Sequence, residues 1–294
     1  MTTRSGFIPV VGRPNVGKST LVNALVGHKV AITSSRPQTT RNTIRGVLTL
    51  ADPDRQFVFV DTPGLHRPRT ALGERLNLLV YGSLAESDAV IFVLDATQKI
   101  GPGDRLIAAR LGKAAAETVV VVNKVDVAAK TRVADQLAEA GEWDFAAYVP
   151  LSALEGDGLQ PLIDEIDRRL PEGPMYFPPD MHSDQPDQVL AGELIREKYL
   201  ARLQEELPYS VAVVVGEIET RESGVVYIPA TVYVERDSQK GIVIGKGGAM
   251  IRLVGSEARK ELERLFGADC FVDLRVRVEK NWQCRDQVLD RLGF

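Results

Sequence analysis

The sequence predicts two domains in succession: an α/β domain with a mixed, mainly parallel sheet covered by helices on both faces, and a smaller α+β domain. Short apolar runs alternate with helical patterns through the first half of the chain. The runs lie near residues 7–11, 57–60, 89–94, 118–122 and 147–151. The helical patterns lie near residues 18–27, 103–116, 129–140 and 158–170. Such alternation is typical of parallel strands joined by helices.

A second observation sets the domain bounds. Residues 171–188 contain five prolines, which break helices and favour extended chain. We therefore divide the chain into a first domain (1–170), a proline-rich linker that crosses between domains (171–188) and a second domain (189–294). Within the first domain, the run 44–50 should pair antiparallel with 56–61 through the turn at 52–54.

Composition limits the possible classes of protein. The 294 residues allow a full core in each of two domains, and the net charge of −4 gives no overall nucleic-acid signal. The two cysteines, Cys270 and Cys284, form no C-x-x-C pair, so we expect packing residues in a reducing compartment. No signal peptide and no run of membrane-spanning length is found, which favours the cytoplasm.

The segment after the first apolar run has the pattern of a phosphate-binding loop. Gly12 and Gly17 let the backbone turn tightly, so that successive N–H groups point at a phosphate. Lys18 places a charge between the β- and γ-phosphates, and Ser19 offers a hydroxyl to Mg²⁺. The predicted nucleotide contacts are Gly12, Arg13, Pro14, Asn15, Val16, Gly17, Lys18, Ser19 and Thr20.

A second phosphate motif follows the run 57–60. It consists of Asp61, Thr62, Pro63 and Gly64. Asp61, at a strand end, suits a contact to Mg²⁺ through water, and the Gly64 N–H suits the γ-phosphate.

Two polar segments read as switch loops. In residues 34–41 we favour Thr40 over Thr39 as the residue whose hydroxyl reaches Mg²⁺ and whose carbonyl reaches the attacking water; a plain solvated loop is the alternative. The second switch would run from Gly64 through residues 66–69. Loss of the γ-phosphate would release both segments.

A motif after the run 118–122 indicates which nucleobase is bound. Asp126 can accept hydrogen bonds from guanine N1–H and the N2 amino group together, which adenine cannot satisfy. Asn123 can tie this loop to the phosphate loop, and the Lys124 stem can lie over the purine. Backbone of the next segment could reach guanine O6; that segment is Ser152, Ala153 and Leu154. Together these motifs resemble the translation-factor branch of P-loop GTPases over residues 6–170.

That resemblance leads to a mechanism in which water attacks the γ-phosphate, aided by positioning and charge from Lys18, Thr40 and Gly64. Ras-type enzymes carry a Gln after the D-x-x-G glycine to orient the water. Leu65 stands here, so we expect slow intrinsic hydrolysis, with a water held by other groups as the alternative, and we name no general base. In several relatives an Asn at the place of Asn15 helps bind K⁺; stabilisation of the loop's turn is the alternative.

The second domain carries a different loop. A helical pattern over 189–207 and two strand patterns, 210–215 and 225–234, precede Gly245, Lys246, Gly247 and Gly248. A helix over 249–266 and a strand over 271–278 follow. The loop and its order of elements resemble the type II KH fold, whose G-x-x-G loop clamps a nucleic-acid backbone. The expected RNA contacts are Ile244, Gly245, Lys246, Gly247, Gly248 and Arg252.

Local charge supports RNA binding, because residues 236–285 hold 11 Lys and Arg against 7 Asp and Glu. Arg275 and Arg277 share one strand face and are either phosphate contacts or its solvated side. A β-rich adaptor with a solvated basic face is the alternative for the domain. Trp282 is expected to anchor the last helix.

A GTPase joined to a C-terminal type II KH domain resembles the Era family of bacterial ribosome-assembly GTPases. The resemblance implies GTP/GDP and Mg²⁺ as ligands, and 16S rRNA near its 3′ end and the 30S subunit as partners during 30S maturation. It also implies loose contact with the inner face of the membrane. We expect a monomer without DNA binding. The alternatives are a GTP-gated signalling protein that docks on a protein or membrane partner, and a nucleotide sensor that barely turns over.

Overall fold

A computed structural model describes residues 3–36, 38–51, 54–65 and 68–294. The chain divides into two compact units between Asp184 and Gln185, except that Arg69–Leu72 group with the second unit. The strands of the first unit are β1 (Arg4–Gly12), β2 (Ile44–Leu50), β3 (Arg55–Asp61), β4 (Val90–Asp95), β5 (Thr118–Asn123) and β6 (Ala147–Leu151). The helices up to residue 167 are α1 (Lys18–Val26), α2 (Ala71–Ala85), α3 (Pro102–Leu111), α4 (Lys130–Gly141) and α5 (Leu159–Asp167).

The first sheet has the order β2-β3-β1-β4-β5-β6, and only β2 runs antiparallel. The antiparallel pairing of β2 with β3 is the one that the sequence predicts, and its register places Ile44 opposite Asp61 and Leu50 opposite Arg55. Residues 52 and 53 of the predicted turn lie outside the described residues. All four phosphate and base motifs follow the carboxyl ends of strands, where open α/β sheets bind ligands.

Alternate residues of the buried strands point to opposite faces of this sheet, and each face has its own core. Val10 and Phe59 pack with α1 and α5 on one face. Val11 and Phe92 pack on the other face with a cluster that includes residues of α2, α3 and α4. Continuous apolar runs are therefore required, because both faces of the parallel strands are buried.

Pro9 is accommodated in the central strand β1 by the start of the β4 ladder. Phe7, two residues earlier, exchanges hydrogen bonds with Asp88, its N–H donating to Oδ2 at 2.8 Å. The backbone nitrogen of Pro9 faces the same side of β1 as that of Phe7, which is the side of β4. Pairing with β4 begins only at Val10. The missing N–H thus falls just outside the ladder.

The first unit differs from the sequence prediction in its helices. No helix is predicted between the second switch and β4, yet α2 occupies Ala71–Ala85. The predicted helix over 103–116 ends as α3 at Leu111 and continues as a 3-10 turn over Gly112–Glu117.

The linker also differs from the expected tether, because its residues 171–184 run along the first unit. Ser5 Oγ donates to Pro174 O at 2.6 Å. The buried Gln56 side chain accepts hydrogen bonds from the N–H groups of Tyr176 and Phe177, at 2.7 and 3.0 Å. Val47 N–H donates to His182 O at 2.9 Å.

The second unit contains a separate sheet with the order β10-β9-β7. Its strands are β7 (Ala212–Val215), β8 (Glu219–Thr220), β9 (Val226–Val234) and β10 (Cys270–Val278). Its helices are α6 (Asp187–Leu200), α7 (Leu207–Ser210), α8 (Asp237–Ile244), α9 (Ala249–Phe266) and α10 (Asp286–Leu292). The central β9 pairs antiparallel with β7 and parallel with β10. This is the predicted α-β-β-α-α-β arrangement.

One predicted helix of this unit is interrupted. The pattern over 189–207 corresponds to α6, which ends at Leu200, and the short α7 starts only at Leu207. Leu203 and Leu207 are nevertheless buried, which explains why the apolar periodicity continues past the helix end. Trp282 is fully buried, and its Nε1–H donates to Ser210 O at 3.0 Å, so it anchors the C-terminal segment.

Candidate functional site

The phosphate-binding loop joins β1 to α1, and its glycines are required by close approach. A Cβ on Gly12 (φ 154°) would lie 2.6 Å from Val93 O. A Cβ on Gly17 (φ 99°) would lie 2.2 Å from Asn123 Nδ2. Gly64, from the second phosphate motif, lies close to the phosphate-binding loop: a Cβ added to Gly64 would be 2.7 Å from Pro14 N. The two phosphate motifs are thus in contact.

Lys18 is held inside this loop. Only 6% of its surface is exposed, and Nζ donates to Arg13 O at 2.9 Å and to Gly12 O at 3.4 Å. Burial lowers the pKa of Lys18 to about 8, although the charge of Asp61 acts to raise it. The site therefore holds a poorly solvated cation, which is the environment that favours binding of a polyphosphate.

Oxygen atoms of three side chains, those of Ser19, Thr40 and Asp61, lie close together beside Lys18. Ser19 Oγ donates to Asp61 Oδ2 at 2.6 Å, and Thr40 Oγ1 donates to the same oxygen at 3.0 Å. The two hydroxyls are 2.9 Å apart. Thr39, by contrast, donates its hydroxyl to Arg36 O at 2.7 Å. The first switch thus brings Thr40 rather than Thr39 to Asp61.

This cluster fits a Mg²⁺ ion, because hard cations prefer oxygen ligands. Asp61 is fully buried, and its Oδ1 has no hydrogen-bond partner among the described residues. Burial raises the pKa of Asp61, against hydrogen bonds from Ser19, Thr40 and Thr62 and the charge of Lys18. A buried acceptor without a partner is costly, and a cation at this point would satisfy it.

A pocket in front of the loop joins the phosphate loop to the first switch. It is lined by Pro14, Asn15, Gly17, Lys18, Ser19, Thr20, Thr33, Ser34, Gln38, Thr39, Thr40 and Gly64. Residue 37 of the first switch and residues 66 and 67 of the second lie outside the described residues.

Two loop side chains do not face the phosphates. Arg13 Nε donates to the buried Asp104 Oδ1 at 2.8 Å, so its side chain fixes the loop to α3, and Arg13 is not among the residues that line the pocket. Asn15 adopts a left-handed conformation (φ 66°), and its Nδ2 donates to Ser35 O at 2.7 Å. This geometry fits the turn-stabilising alternative for Asn15.

Leu65 is buried on the α3 side of the sheet. It is 8% exposed and packs in the cluster of Val11, Phe92 and Ile107. Its N–H donates to Gly12 O at 3.2 Å. The residue at the position of the Ras glutamine therefore packs in the core.

The base motif is assembled by Asn123, which is 2% exposed. Its Nδ2 donates to Val16 O at 2.8 Å, while its Oδ1 accepts from Lys124 N–H at 2.8 Å and Ala153 N–H at 3.0 Å. One amide thereby joins the phosphate loop, the base motif and the Ser152–Leu154 segment. Asp126 is exposed.

Sequence reasoning missed Asp95, which anchors the base motif. Asp95 is 1% exposed and accepts from Lys124 Nζ at 2.6 Å. Burial raises the pKa of Asp95, but hydrogen bonds from Lys124 and Thr97 outweigh it and leave the pKa below its ordinary value. Lys124 Nζ also donates to Asn15 O at 2.7 Å, so the pair fixes the lysine stem. The available signal was an Asp that ends the apolar strand β4.

In the second unit, the glycine loop lies between α8 and α9. Gly245, Gly247 and Gly248 have φ of 76°, 58° and 79°. Lys246 and Gly247 are exposed, and a Cβ on Gly247 would meet nothing within 4 Å. A backbone can therefore approach this point closely.

A groove between α9 and the edge strand β10 lies beside the loop; we call it the helix–strand groove. It is lined by Ile251, Arg252, Gly255, Ser256, Arg259, Phe271, Val272 and Leu274. Of the predicted RNA contacts, Arg252 lines the groove, and Gly245 to Gly248 form the adjoining loop.

Comparisons with known proteins identify a GTPase domain and a KH domain in this chain. The family described as "50S ribosome-binding GTPase" matches residues 7–124, and the KH domain family matches residues 206–283. GTPase Era of Mycobacterium avium (strain 104) is 52% identical over 297 residues, which cover 99% of both chains. The chain belongs to the Era family of GTPases. GTPase Era of Mycobacterium tuberculosis (strain ATCC 25618 / H37Rv) is 51% identical, over 99% of this chain and 98% of that protein.

Solved structures of Era proteins have the same fold. Era in complex with MgGDPNP and nucleotides 1506–1542 of 16S ribosomal RNA superposes with a TM-score of 0.94 at 35% identity, over 99% of both chains. A point variant of Aquifex aeolicus Era bound to GDP·AlF₄⁻ gives a TM-score of 0.94 at 36% identity, over 99% of both chains. As a member of the Era family, the chain is a GTPase with a C-terminal KH domain.

Proposed function

We propose that GTP binding and hydrolysis in the first domain control a KH domain that binds 16S rRNA near its 3′ end, and that the chain thereby assists 30S maturation. The observation that carries this proposal is the full-length similarity to an Era bound to MgGDPNP and nucleotides 1506–1542 of 16S rRNA. The assembled phosphate, base and G-x-x-G loops give it a physical basis in this chain.

The nucleotide is held by charge and by backbone. Lys18 lies between the β- and γ-phosphates, and the N–H groups of the loop from Gly12 to Thr20 point at them. Asp126 accepts hydrogen bonds from the guanine edge. Asn123 fixes the base motif to the phosphate-binding loop through its hydrogen bond to Val16 O.

Ser19 and Thr40 would hold Mg²⁺, with Asp61 behind them. There it would supply positive charge against the phosphate charge that develops during transfer. Thr40 also orients water through its carbonyl, and the Gly64 N–H donates to the γ-phosphate. Catalysis thus rests on positioning and charge rather than on a general base, and Leu65 predicts a slow intrinsic rate. Turnover compared in K⁺ and Na⁺ tests whether Asn15 also serves a K⁺ ion.

The RNA strand lies in the helix–strand groove, with Lys246 beside a phosphate and Arg252 along the groove. We expect GTP to favour the RNA-competent state, so that RNA affinity differs between GTP and GDP analogues. A location in the cytoplasm, with peripheral membrane contact, remains a prediction from the family resemblance. Among the described residues no helix is long and apolar enough to cross a bilayer.

Lys246→Ala tests the RNA proposal, with Lys260→Ala on the solvated side of α9 as the matched control. Both residues are exposed, but Lys260 lies outside the groove lining. Titration of the full chain with RNA of the 1506–1542 segment should show weaker binding for Lys246→Ala only. The slope of log affinity against log salt should also fall by about 0.7, the value for one phosphate contact on a single strand. Equal affinity of both variants and the wild type would favour docking on a protein or membrane partner instead.

A further inference from the structure

A second surface of the KH domain carries two aromatic rings, of which that of Phe271 is exposed and that of Tyr227 is half-buried. Tyr227 in β9 and Phe271 in β10 are direct partners in the parallel register. Their rings lie side by side with centroids 6.0 Å apart and planes inclined by 13°. The Arg221 guanidinium lies 4.4 Å from the Tyr227 ring centroid and 5.5 Å from that of Phe271. We call Arg221, Tyr227 and Phe271 the aromatic platform.

The platform lies on the face of the sheet that does not form the core. Residues alternate along β9, and Ile228 and Val232, which point to the opposite face, are fully buried. Phe271 keeps 51% of its surface exposed. Core packing does not account for a ring placed in this way.

Neighbouring hydrogen bonds hold the platform in place. Tyr227 Oη donates to Asp273 Oδ2 at 3.0 Å, and Arg275 donates to the same oxygen at 2.8 Å. Arg221 stands in the turn after β8, where its N–H donates to Val225 O at 3.0 Å. The tyrosine ring is therefore fixed at its hydroxyl end, and Arg221 is held over it from a closed turn.

The platform continues the helix–strand groove. Phe271 lines the groove as well as the platform. The chain reverses between Phe266 and Cys270, so Phe271 lies beside the later part of α9, away from the glycine loop at its start. Between these two ends of the groove, Gly255 of α9 packs against Leu274 of β10. A Cβ added to Gly255 would lie 3.5 Å from Leu274 Cδ1. A strand that enters at Lys246 and follows the groove leaves it at Phe271.

The chemistry of this exit suits an unpaired nucleotide. Aromatic rings stack on nucleobases of any sequence, and a guanidinium can contact a phosphate or stack on a base. Arg275 and Arg277 extend positive charge along the same face, and both are exposed.

We propose that the aromatic platform is a second RNA contact, on which an unpaired base of the strand leaving the groove stacks against Phe271 while Arg221 contacts a phosphate. The inference rests on the proposed function, because the strand is the RNA that the groove holds.

The test compares Phe271→Leu, which keeps an apolar side chain, with Phe271→Tyr, which keeps the ring. The probe is the 1506–1542 RNA with 2-aminopurine placed in turn at each unpaired adenine, bound to the full chain. Stacking on the ring should quench the 2-aminopurine fluorescence at one of these positions. Phe271→Leu should remove that quench and weaken binding roughly 5- to 100-fold, the range for loss of one base–aromatic stack. Phe271→Tyr should keep both the fluorescence quench and the binding affinity of the wild type. Leu265→Ala, at an α9 residue that is 41% exposed and outside the groove lining, should match the wild type.

The outcomes separate this inference from the proposed function. If Lys246→Ala weakens binding but Phe271→Leu does not, the platform is not an RNA contact and the groove still is. If Phe271→Leu and Phe271→Tyr lose affinity equally, the residue acts through packing and stacking is refuted. If the wild-type chain does not bind the RNA at all, both proposals fail. Arg221→Gln should flatten the salt slope by about 0.7, and an unchanged slope would exclude its phosphate contact.

Discussion

Replacing Asn123 with Ala should cost nucleotide affinity far more than a comparable change elsewhere in the domain. The side chain makes three hydrogen bonds of 2.8, 2.8 and 3.0 Å, all to backbone groups of three different loops. At about 1 kcal/mol net for each bond, the variant should lose about 3 kcal/mol of the interaction energy that holds these loops together. If most of that loss falls on the nucleotide-bound state, affinity for GDP drops roughly 30- to 100-fold.

Asn23 offers a matched control. Its Oδ1 accepts from the N–H groups of Val30 and Ala31, both at 2.9 Å, and its Nδ2 donates to Ala31 O at 2.8 Å. Asn23→Ala therefore removes the same number of bonds to backbone without touching the base motif. Isothermal titration with GDP and denaturant unfolding should be run on both variants. Similar losses of stability but equal GDP affinities would refute the role assigned to Asn123.

Three further predictions follow from particular contacts. Thr40→Ala should slow GTP hydrolysis at saturating GTP, because it removes the hydroxyl beside Asp61, whereas Thr39→Ala should leave the rate near that of the wild type; equal rates would contradict the assignment of the first switch. Trp282→Ala should lower the free energy of unfolding of the KH domain by about 3–5 kcal/mol, the usual cost of truncating a buried large aromatic, as measured by calorimetry; a loss well below 1 kcal/mol would contradict its role as an anchor. Asp95→Asn should weaken GDP binding through release of Lys124. Because the folded state lowers the pKa of Asp95 from 3.8, its stabilisation is complete above that pH and is lost as pH falls through the lower value, so acid unfolding of the variant should be less steep; identical acid profiles would argue against the ion pair.

The strands and motifs of the first domain could be predicted from the sequence because they depend on local patterns. A buried parallel strand needs an unbroken apolar run, and the phosphate loop needs Gly12 and Gly17 where the backbone approaches its neighbours. The antiparallel pairing of β2 with β3 followed from the same kind of pattern, since a short turn joins the two strands in sequence.

Contacts between distant segments could not be read in the same way. Asp95 meets Lys124 only because β4 and β5 are neighbours in the sheet. Residues 171–184 have the proline content of a free linker, but backbone hydrogen bonds and Gln56 hold them on the first unit. The apolar spacing past Leu200 suggested one long helix, because burial of Leu203 and Leu207 gives the same pattern without helical continuity.

The most direct test of the whole account is crosslinking of the chain to RNA in living cells, followed by sequencing of the attached fragments. We expect the fragments to concentrate near the 3′ end of 16S rRNA and to become much less abundant with Lys246→Ala. Fragments spread over unrelated RNAs, or crosslinks that persist unchanged in that variant, would contradict a GTPase whose KH domain grips the end of this rRNA.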